Sequence, residues 1–222
     1  DAFGLLRKSY RNTVEISKFA NDILRHGDFA VYPVEPIIRH GAAVRVEKQP
    51  DATALLEETV HTIRKWQQDG YETIAVICRE EKEAAELAEQ LKSYMEIVDC
   101  NQGTTEFGDG VMVLSVVYTK GLEFDAVLLY DPTQKKYPAD NGHVKLLYVA
   151  ATRALHELVV LYHGNLSRIL TDPVSKEKKQ KVFAAETLTK AKEYEKQQLT
   201  EKEIEEQKRV DGRRDMDERE YF

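Results

Sequence analysis

The 222-residue sequence predicts an α/β domain in which helices cover both faces of a parallel β-sheet. Segments with helical and strand periodicity alternate up to about residue 163, an order typical of parallel sheets. Residues 73–78 (TIAVIC) form an uninterrupted apolar run rich in β-branched residues, which indicates a strand buried on both faces. With 42% hydrophobic residues, the chain can bury a core of this kind.

Four segments carry apolar residues at helical spacing, so that each presents one apolar face. Asn12 or Thr13 caps the first of them and Gly27 ends it, whereas Asp51 begins the second, which ends near Gly70. The predicted helices lie within residues 12–27, 51–70, 80–94 and 141–154.

Short apolar runs rich in β-branched residues predict the strands between these helices. Two of them, 111–117 (VMVLSVV) and 126–131 (AVLLYD), flank a polar connection, and 157–162 (ELVVLY) is the last core strand. The other predicted strands are residues 3–6, 43–46, 73–78 and 96–98.

The composition changes at Lys176. Residues 175–222 carry 13 basic and 13 acidic residues, so the net charge of −7 belongs to residues 1–174. The apolar positions of this tail keep no heptad, which argues against a coiled coil. We therefore predict a domain at 1–174 and a charged tail at 175–222 that is helical or partly disordered.

Composition also narrows the class of protein. The negative net charge argues against a chain that coats nucleic acid by bulk electrostatics, although it allows a local basic groove. Cys78 and Cys100 are the only cysteines and no His pair has metal-ligand spacing, so we expect reduced thiols in the cytoplasm and no metal site. No apolar stretch approaches the roughly 20 residues that span a bilayer, and no secretion signal is visible, so no membrane partner is expected.

Two short segments hold residue types suited to nucleotide binding. In SYRNT, Tyr10 can stack on a planar ring and Arg11 can aim a guanidinium at an anion; the alternative is a packed tyrosine and a surface ion pair. In TKGLEFD, Gly121 lets the backbone approach a ligand, Glu123 can accept from a sugar hydroxyl and Lys120 supplies a charge. The alternative for this second segment is a polar loop that only connects two strands.

A third segment, LLYVAATRALHELVVLY, places Arg153 between a helix and a buried strand. If it lies near the carboxyl edge of the sheet, as we expect, Arg153 can act as a finger on a transferring phosphoryl group. The alternative is an arginine that caps its own helix through the helix dipole. The sequence contains neither GxxxxGK[ST] nor GxGxxG, so it has no phosphate loop of its own.

In this order the three segments resemble the UvrD/Rep/PcrA group of superfamily 1 helicases. YRNT resembles their motif IV, SVVYTKGLEFDAVLLYDP their motif V and LLYVAATRALHELVVLY their motif VI, and TIAVICREEKEAAELAEQL resembles motif IVa. The resemblance covers residues 5–163. It implies a RecA-like fold, specifically the second RecA-like domain of an ATP-driven motor.

The resemblance also implies roles for individual residues. Tyr10 matches the aromatic residue that stacks on adenine, Arg11 and Arg153 match the two arginines that reach the γ-phosphate, and Glu123 matches the carboxylate that bonds the ribose. Lys120 and Gly121 share the loop of Glu123. The chain starts abruptly, which suggests a piece of a longer protein whose N-terminal RecA-like domain holds the phosphate loop and the Mg²⁺ ligands of the ATP site. The isolated chain is then expected to be inactive as an ATP hydrolase.

Two departures separate this sequence from a typical DNA helicase. The position four residues before Gly121, where the helicases carry a His that touches single-stranded nucleic acid, is Val117. Tyr118 follows and either stacks on a base, with Thr119 beside it, or is packed. Residues 14–114, which separate the first two motifs, are too few for the large inserted subdomain of the UvrD-like motors.

Both departures resemble the HelD branch, whose members use ATP to remodel or recycle bacterial RNA polymerase. The alternative is the second RecA-like domain of a UvrD-class helicase that unwinds duplex DNA, and a third interpretation is a binding module without motor activity. All motor interpretations require Tyr10, Arg11, Glu123 and Arg153 to converge on one edge of the sheet. In an α/β domain that binds no nucleotide they would be scattered.

Overall fold

The computed structural model describes residues 12–29, 39–98 and 108–171. All of these lie within the predicted domain at residues 1–174. The predicted strand at residues 3–6 and the predicted tail lie outside the described residues. The division into a domain at 1–174 and a tail at 175–222 therefore stays a prediction.

Five parallel strands form one sheet in the order β1-β5-β4-β2-β3. The central strands β2 and β4 are almost wholly buried, and β5 is buried over residues 158–161, as expected for runs covered on both faces. The strands are β1 Arg45–Gln49, β2 Thr73–Cys78, β3 Gly110–Ser115, β4 Phe124–Tyr130 and β5 Ala154–His163. The predicted α/β fold is thus confirmed, and β2 has the predicted bounds.

Helices cover both faces of this sheet. The helices are α1 Val14–Leu24, α2 Ala52–Gln68, α3 Glu81–Leu91, α4 Asn141–Ala151 and the short α5 Arg168–Thr171. Apolar residues of α1 and α4 pack in a core on one face, and those of α2 and α3 pack in a second core on the other. Within the described residues, no helix is long and apolar enough to cross a membrane.

Side-chain caps fix where three of the helices begin. Asp51 accepts from the Ala54 amide at 2.9 Å, and Asp140 accepts from the His143 amide at 3.0 Å. At α1 the cap is Thr13, whose hydroxyl accepts from the Ile16 amide at 3.4 Å. Asn12, the other candidate cap, has a different role that is described below.

One predicted strand is absent, and another ends earlier than predicted. Residues 96–98 form no strand, although the Val98 amide donates to the Val111 carbonyl at 2.8 Å. The run 111–117 stops being a strand at Ser115, and Val116–Thr119 forms a 3₁₀ turn. This turn starts the connection that returns the chain to the opposite edge, where β4 begins.

β2 and β4 are neighbours in the sheet, but the chain leaves them in opposite directions. From β2 it continues to β3, on one side, and from β4 to β5, on the other. The helix after β2 lies on one face and the helix after β4 on the other, so their carboxyl ends form the crevice in which open α/β sheets usually bind ligands. Here Lys136 fills that crevice. Its ammonium contacts Asp131, at 2.5 Å, and Glu83.

The charges of this switch-point cluster (Lys136, Asp131 and Glu83) hold one another in place. Burial lowers the pKa of Lys136, but hydrogen bonds to Asp131 and Glu83 outweigh this effect, so the pKa is raised. Asp131 is 3% exposed and has φ of 50°, the left-handed region that non-glycine residues rarely adopt. The cluster therefore closes the end of the core with paired charges.

At the opposite edge of the sheet, Asp125 joins the starts of β2 and β4. Its carboxylate accepts from the Thr73 amide at 2.9 Å, the Thr73 hydroxyl at 3.0 Å and the Glu72 amide at 3.0 Å. Burial would raise the pKa of Asp125, but these hydrogen bonds and nearby His156 together lower it.

We predict that Asp125→Ala lowers the free energy of unfolding by about 1–3 kcal/mol, because three donors lose a charged acceptor. Urea unfolding followed by the fluorescence of Trp66, the one tryptophan in the chain, measures this loss. The carboxylate contribution is complete above the ordinary pKa of 3.8 and is lost as the pH falls through the lowered value. The difference in stability between the wild type and Asp125→Asn should therefore shrink at acid pH.

Asp22→Ala is the matched control for this prediction. Asp22 pairs with Arg25 at 2.8 Å on the exposed surface, so its removal should change the free energy of unfolding by no more than about 0.5 kcal/mol. Equal losses in the two variants would contradict the role given to Asp125.

Candidate functional site

Glu123 and Arg153 lie at the amino edge of the sheet, where the strands begin. Glu123 immediately precedes β4 and Arg153 immediately precedes β5, and the first residues of these strands, Phe124 and Ala154, are register partners. The expectation that Arg153 lies near the carboxyl edge is therefore wrong. The chain returns through α4 to the edge where the strands begin, and Arg153 follows that helix. Arg153 therefore comes immediately before β5 and not after a strand.

The guanidinium of Arg153 is held by the backbone of two segments. Its Nε donates to the Val149 carbonyl and its Nη1 to the Leu122 carbonyl, both at 3.0 Å, while Nη2 donates to the Thr152 hydroxyl at 3.3 Å. The bond to Val149 shows that Arg153 does cap its own helix, as one of the two alternatives requires. Because the bond to Leu122 leads to a different segment of the chain, the contacts together also hold the half-buried cation in one orientation.

Glu123 is fixed beside Arg153 by its two neighbours in the chain. The Leu122 carbonyl accepts from the Arg153 guanidinium, and the Phe124 amide donates to the Arg153 carbonyl at 2.9 Å. Glu123 therefore sits between two attachments to the same residue. The structure brings the backbone at Glu123, in the second motif, and Arg153, in the third, to one place.

Asn12 brings the first motif to the same place. Its side-chain amide donates to the Thr152 and Ala154 carbonyls, on either side of Arg153. We call Asn12, Leu122–Phe124 and Thr152–Ala154 the amino-edge cluster. Sequence reasoning treated Asn12 only as a possible helix cap, and no local pattern signals a bond to residues 140 positions away.

Tyr10 and Arg11 lie outside the described residues. Of the predicted site, the structure therefore places the residues of the second and third motifs. Lys120 and Gly121 are exposed on the approach to β4. Gly121 has φ of +84° and an added Cβ would meet nothing within 4 Å, so backbone conformation and not space favours glycine here.

The residues proposed to touch nucleic acid lie near the carboxyl end of β3 instead. Tyr118 is 44% exposed and its hydroxyl donates to the Glu81 carboxylate at 3.3 Å, at the start of α3. Thr119 is fully buried, and its hydroxyl donates to the Val116 carbonyl. Its side chain therefore stabilises the 3₁₀ turn and does not face solvent.

The positive charge of Arg153 also acts on Tyr148 in α4. Burial raises the pKa of Tyr148, and the positive charge of Arg153 opposes that rise. Tyr148 therefore stays neutral at physiological pH. Among the residues that the structure describes, no three His, Cys, Asp or Glu side chains come together in a group that could hold a metal ion.

Comparisons with known proteins give a family match and a structural match that bear on the class of protein. Residues 110–161, which include Glu123 and Arg153, match the family model described as the UvrD-like helicase C-terminal domain. A solved structure, the C-terminal domain of a possible DNA helicase from Lactobacillus plantarum WCFS1, is 27% identical with a TM-score of 0.61. The alignment covers 77% of this chain and 96% of that one. No match was found among curated proteins.

Both matches are to C-terminal domains of helicases. The family match contains the loop of Glu123 and the helix–strand junction of Arg153, and the structural match extends the likeness to most of the chain. Over residues 110–161 the sequence is similar to the UvrD-like helicase C-terminal domain, and over most of its length the fold is similar to the C-terminal domain of a possible DNA helicase.

Proposed function

We propose that this chain forms one wall of the ATP site of a UvrD-like motor. The observation that supports this most directly is the amino-edge cluster, in which three segments far apart in sequence are joined by hydrogen bonds around Arg153. A domain that binds no nucleotide has no reason to gather the helicase motifs at one edge. The proposal predicts that closing a cleft over this edge assembles the complete site.

The proposed roles follow from the chemistry of the side chains. Arg153 and Arg11 meet the γ-phosphate, where a rigid planar cation stabilises the charge that develops during transfer. Glu123 accepts hydrogen bonds from the ribose, and Tyr10 stacks on the adenine. The bonds that hold Arg153 to the Val149 and Leu122 carbonyls support its role, because a cation held in one orientation reorganises little during the reaction.

We propose that the other wall is an N-terminal RecA-like domain of the same polypeptide, in the cytoplasm. The sequence of this chain has no phosphate loop, so the cradle for the phosphates and the ligands for Mg²⁺ must come from elsewhere. Lys120 and Gly121 would line the cleft between the two domains. The chain alone is then expected to bind ATP weakly and to hydrolyse none.

In the protein with its complete ATP site, Arg153→Ala should lower kcat for ATP hydrolysis by about 10²-fold or more. Arg153→Lys should lose most of the same activity, because an ammonium lacks the planar fork of donors. Steady-state ATPase assays give kcat and KM, and urea unfolding gives the stability of each variant. We expect KM for ATP to change much less than kcat.

Arg168→Ala provides the control for the loss of an arginine. Arg168 is exposed in α5, and its removal should keep kcat within about twofold of wild type. If Arg153→Ala reduced the stability while kcat stayed unchanged, Arg153 would serve only as a helix cap and the proposal would fail. A binding module without motor activity would give that result.

We further propose that the motor acts on bacterial RNA polymerase, as HelD-like proteins do. Neither match reported above points to that branch, and the support is the surface around Tyr118. Val117, in place of a nucleic-acid-binding His, is 63% exposed, and the Glu81 carboxylate stands next to the Tyr118 ring. Negative charge at this point repels the phosphates of a single strand.

The second candidate is the unwinding of duplex DNA. The solved structure that this chain resembles comes from a possible DNA helicase, and this favours it. ATP-dependent release of RNA polymerase from stalled transcription complexes, without unwinding of a forked duplex, is the expected result for the first proposal. Unwinding without any effect on the polymerase would favour the second.

If Tyr118 does not bind nucleic acid, Tyr118→Ala should change the affinity for single-stranded DNA by less than about twofold, at fixed salt. Loss of a stacking residue would instead cost roughly five- to 150-fold. Fluorescence anisotropy with a labelled oligonucleotide measures this difference. Tyr94→Ala is the control, since Tyr94 is exposed to the same degree, 45% against 44%.

A further inference from the structure

Asn12 holds the backbone on both sides of Arg153. Its side-chain nitrogen donates to the Thr152 carbonyl at 3.0 Å and to the Ala154 carbonyl at 2.5 Å, across 140 and 142 positions of sequence. Both partners are acceptors, so only the NH₂ group of the amide can face them. Asn12 is 7% exposed, and bonds in such a place are stronger than bonds in water.

These two bonds and the bonds of the guanidinium act on different parts of Arg153. The guanidinium is attached to Val149, Leu122 and Thr152, whereas Asn12 bonds the carbonyls of the residues before and after Arg153, where the chain passes from α4 to β5. An arginine that meets a transferring phosphate depends on its exact place, because a displacement of about 1 Å can cost roughly 10²-fold in rate.

We infer that Asn12 is a positioning residue for Arg153, an inference that rests on the proposed ATP site. Asn12 acts through the backbone of Thr152 and Ala154 and has no role in contact with the phosphate. Because it follows Arg11 in the chain, it also ties the segment that carries one arginine of the site to the segment that carries the other. A shift of either segment is thereby transmitted to its neighbour.

A double-mutant cycle in the protein with its complete ATP site tests this role. Asn12→Ala should lower kcat about tenfold or more with KM for ATP within twofold of wild type. In an Arg153→Ala background the same change should lower kcat several-fold less, since the guanidinium that Asn12 positions is absent and only Arg11 can still be displaced. Equal losses in both backgrounds, or a kcat within twofold of wild type in the single variant, would overturn the inference. Asn165→Ala, an exposed asparagine at the other edge, should leave kcat unchanged.

Hydrogen exchange in the 222-residue chain gives a second test that needs no ATPase activity. Asn12→Ser keeps a single donor, and NMR should show the Arg153 Nε proton exchanging about tenfold faster, while the Val76 amide in the centre of β2 is unaffected. No change at Arg153, or an equal change at Val76, would contradict positioning. If Arg153→Ala left ATP hydrolysis intact, the proposed function would fail, and this measurement would still decide whether Asn12 holds Arg153.

Discussion

The pairing of β4 with β5 starts at the bond from the Phe124 amide to the Arg153 carbonyl, and the amino edge takes its arrangement from that bond. The Arg153 guanidinium also donates to the Leu122 carbonyl. Arg153, at the start of β5, is therefore attached twice to the residues at the start of β4. The backbone at Glu123 cannot move away from Arg153 without breaking one of these attachments. The place of Glu123 in the chain beside Arg153 is thus set by the start of the sheet.

The connection from β3 to β4 joins the two ends of the sheet by a short path. It leaves Ser115 at the carboxyl edge, passes the exposed Tyr118 and the buried Thr119, and arrives at Phe124 at the amino edge. Val116 and Leu122 pack in the core along the way, so the path is held against the sheet. Under the proposed function, one continuous segment carries a nucleotide-facing residue at one end and a surface for other partners at the other.

Local signals in the sequence identify most elements of the fold. Asp51 begins α2 because its carboxylate caps the helix, and the TIAVIC run has the bounds of β2, with four β-branched residues among its six. The edge of the sheet at which Arg153 lies could not be predicted in the same way. It depends on whether the residue comes before or after a strand, and Arg153 comes before β5. The role of Asn12 was hidden for a related reason. Its partners are more than a hundred residues away, and Thr13 supplies the local signal of the cap.

The contacts of Arg153 also show why two interpretations of one residue can both describe a structure. The arginine caps α4 and is at the same time held beside Glu123 by the chain that enters β4. Sequence spacing treats these as alternatives because it considers one helix at a time. Tertiary packing makes the cap part of the site.

The partly buried Lys136 has a consequence for ligands of this fold. A small molecule that enters the carboxyl-edge crevice must displace an ammonium that is already shared by Asp131 and Glu83, and would leave both carboxylates without their cation. An inhibitor screen directed at that crevice therefore begins at a disadvantage, and a cationic compound that imitates the lysine is the type best suited to compete there.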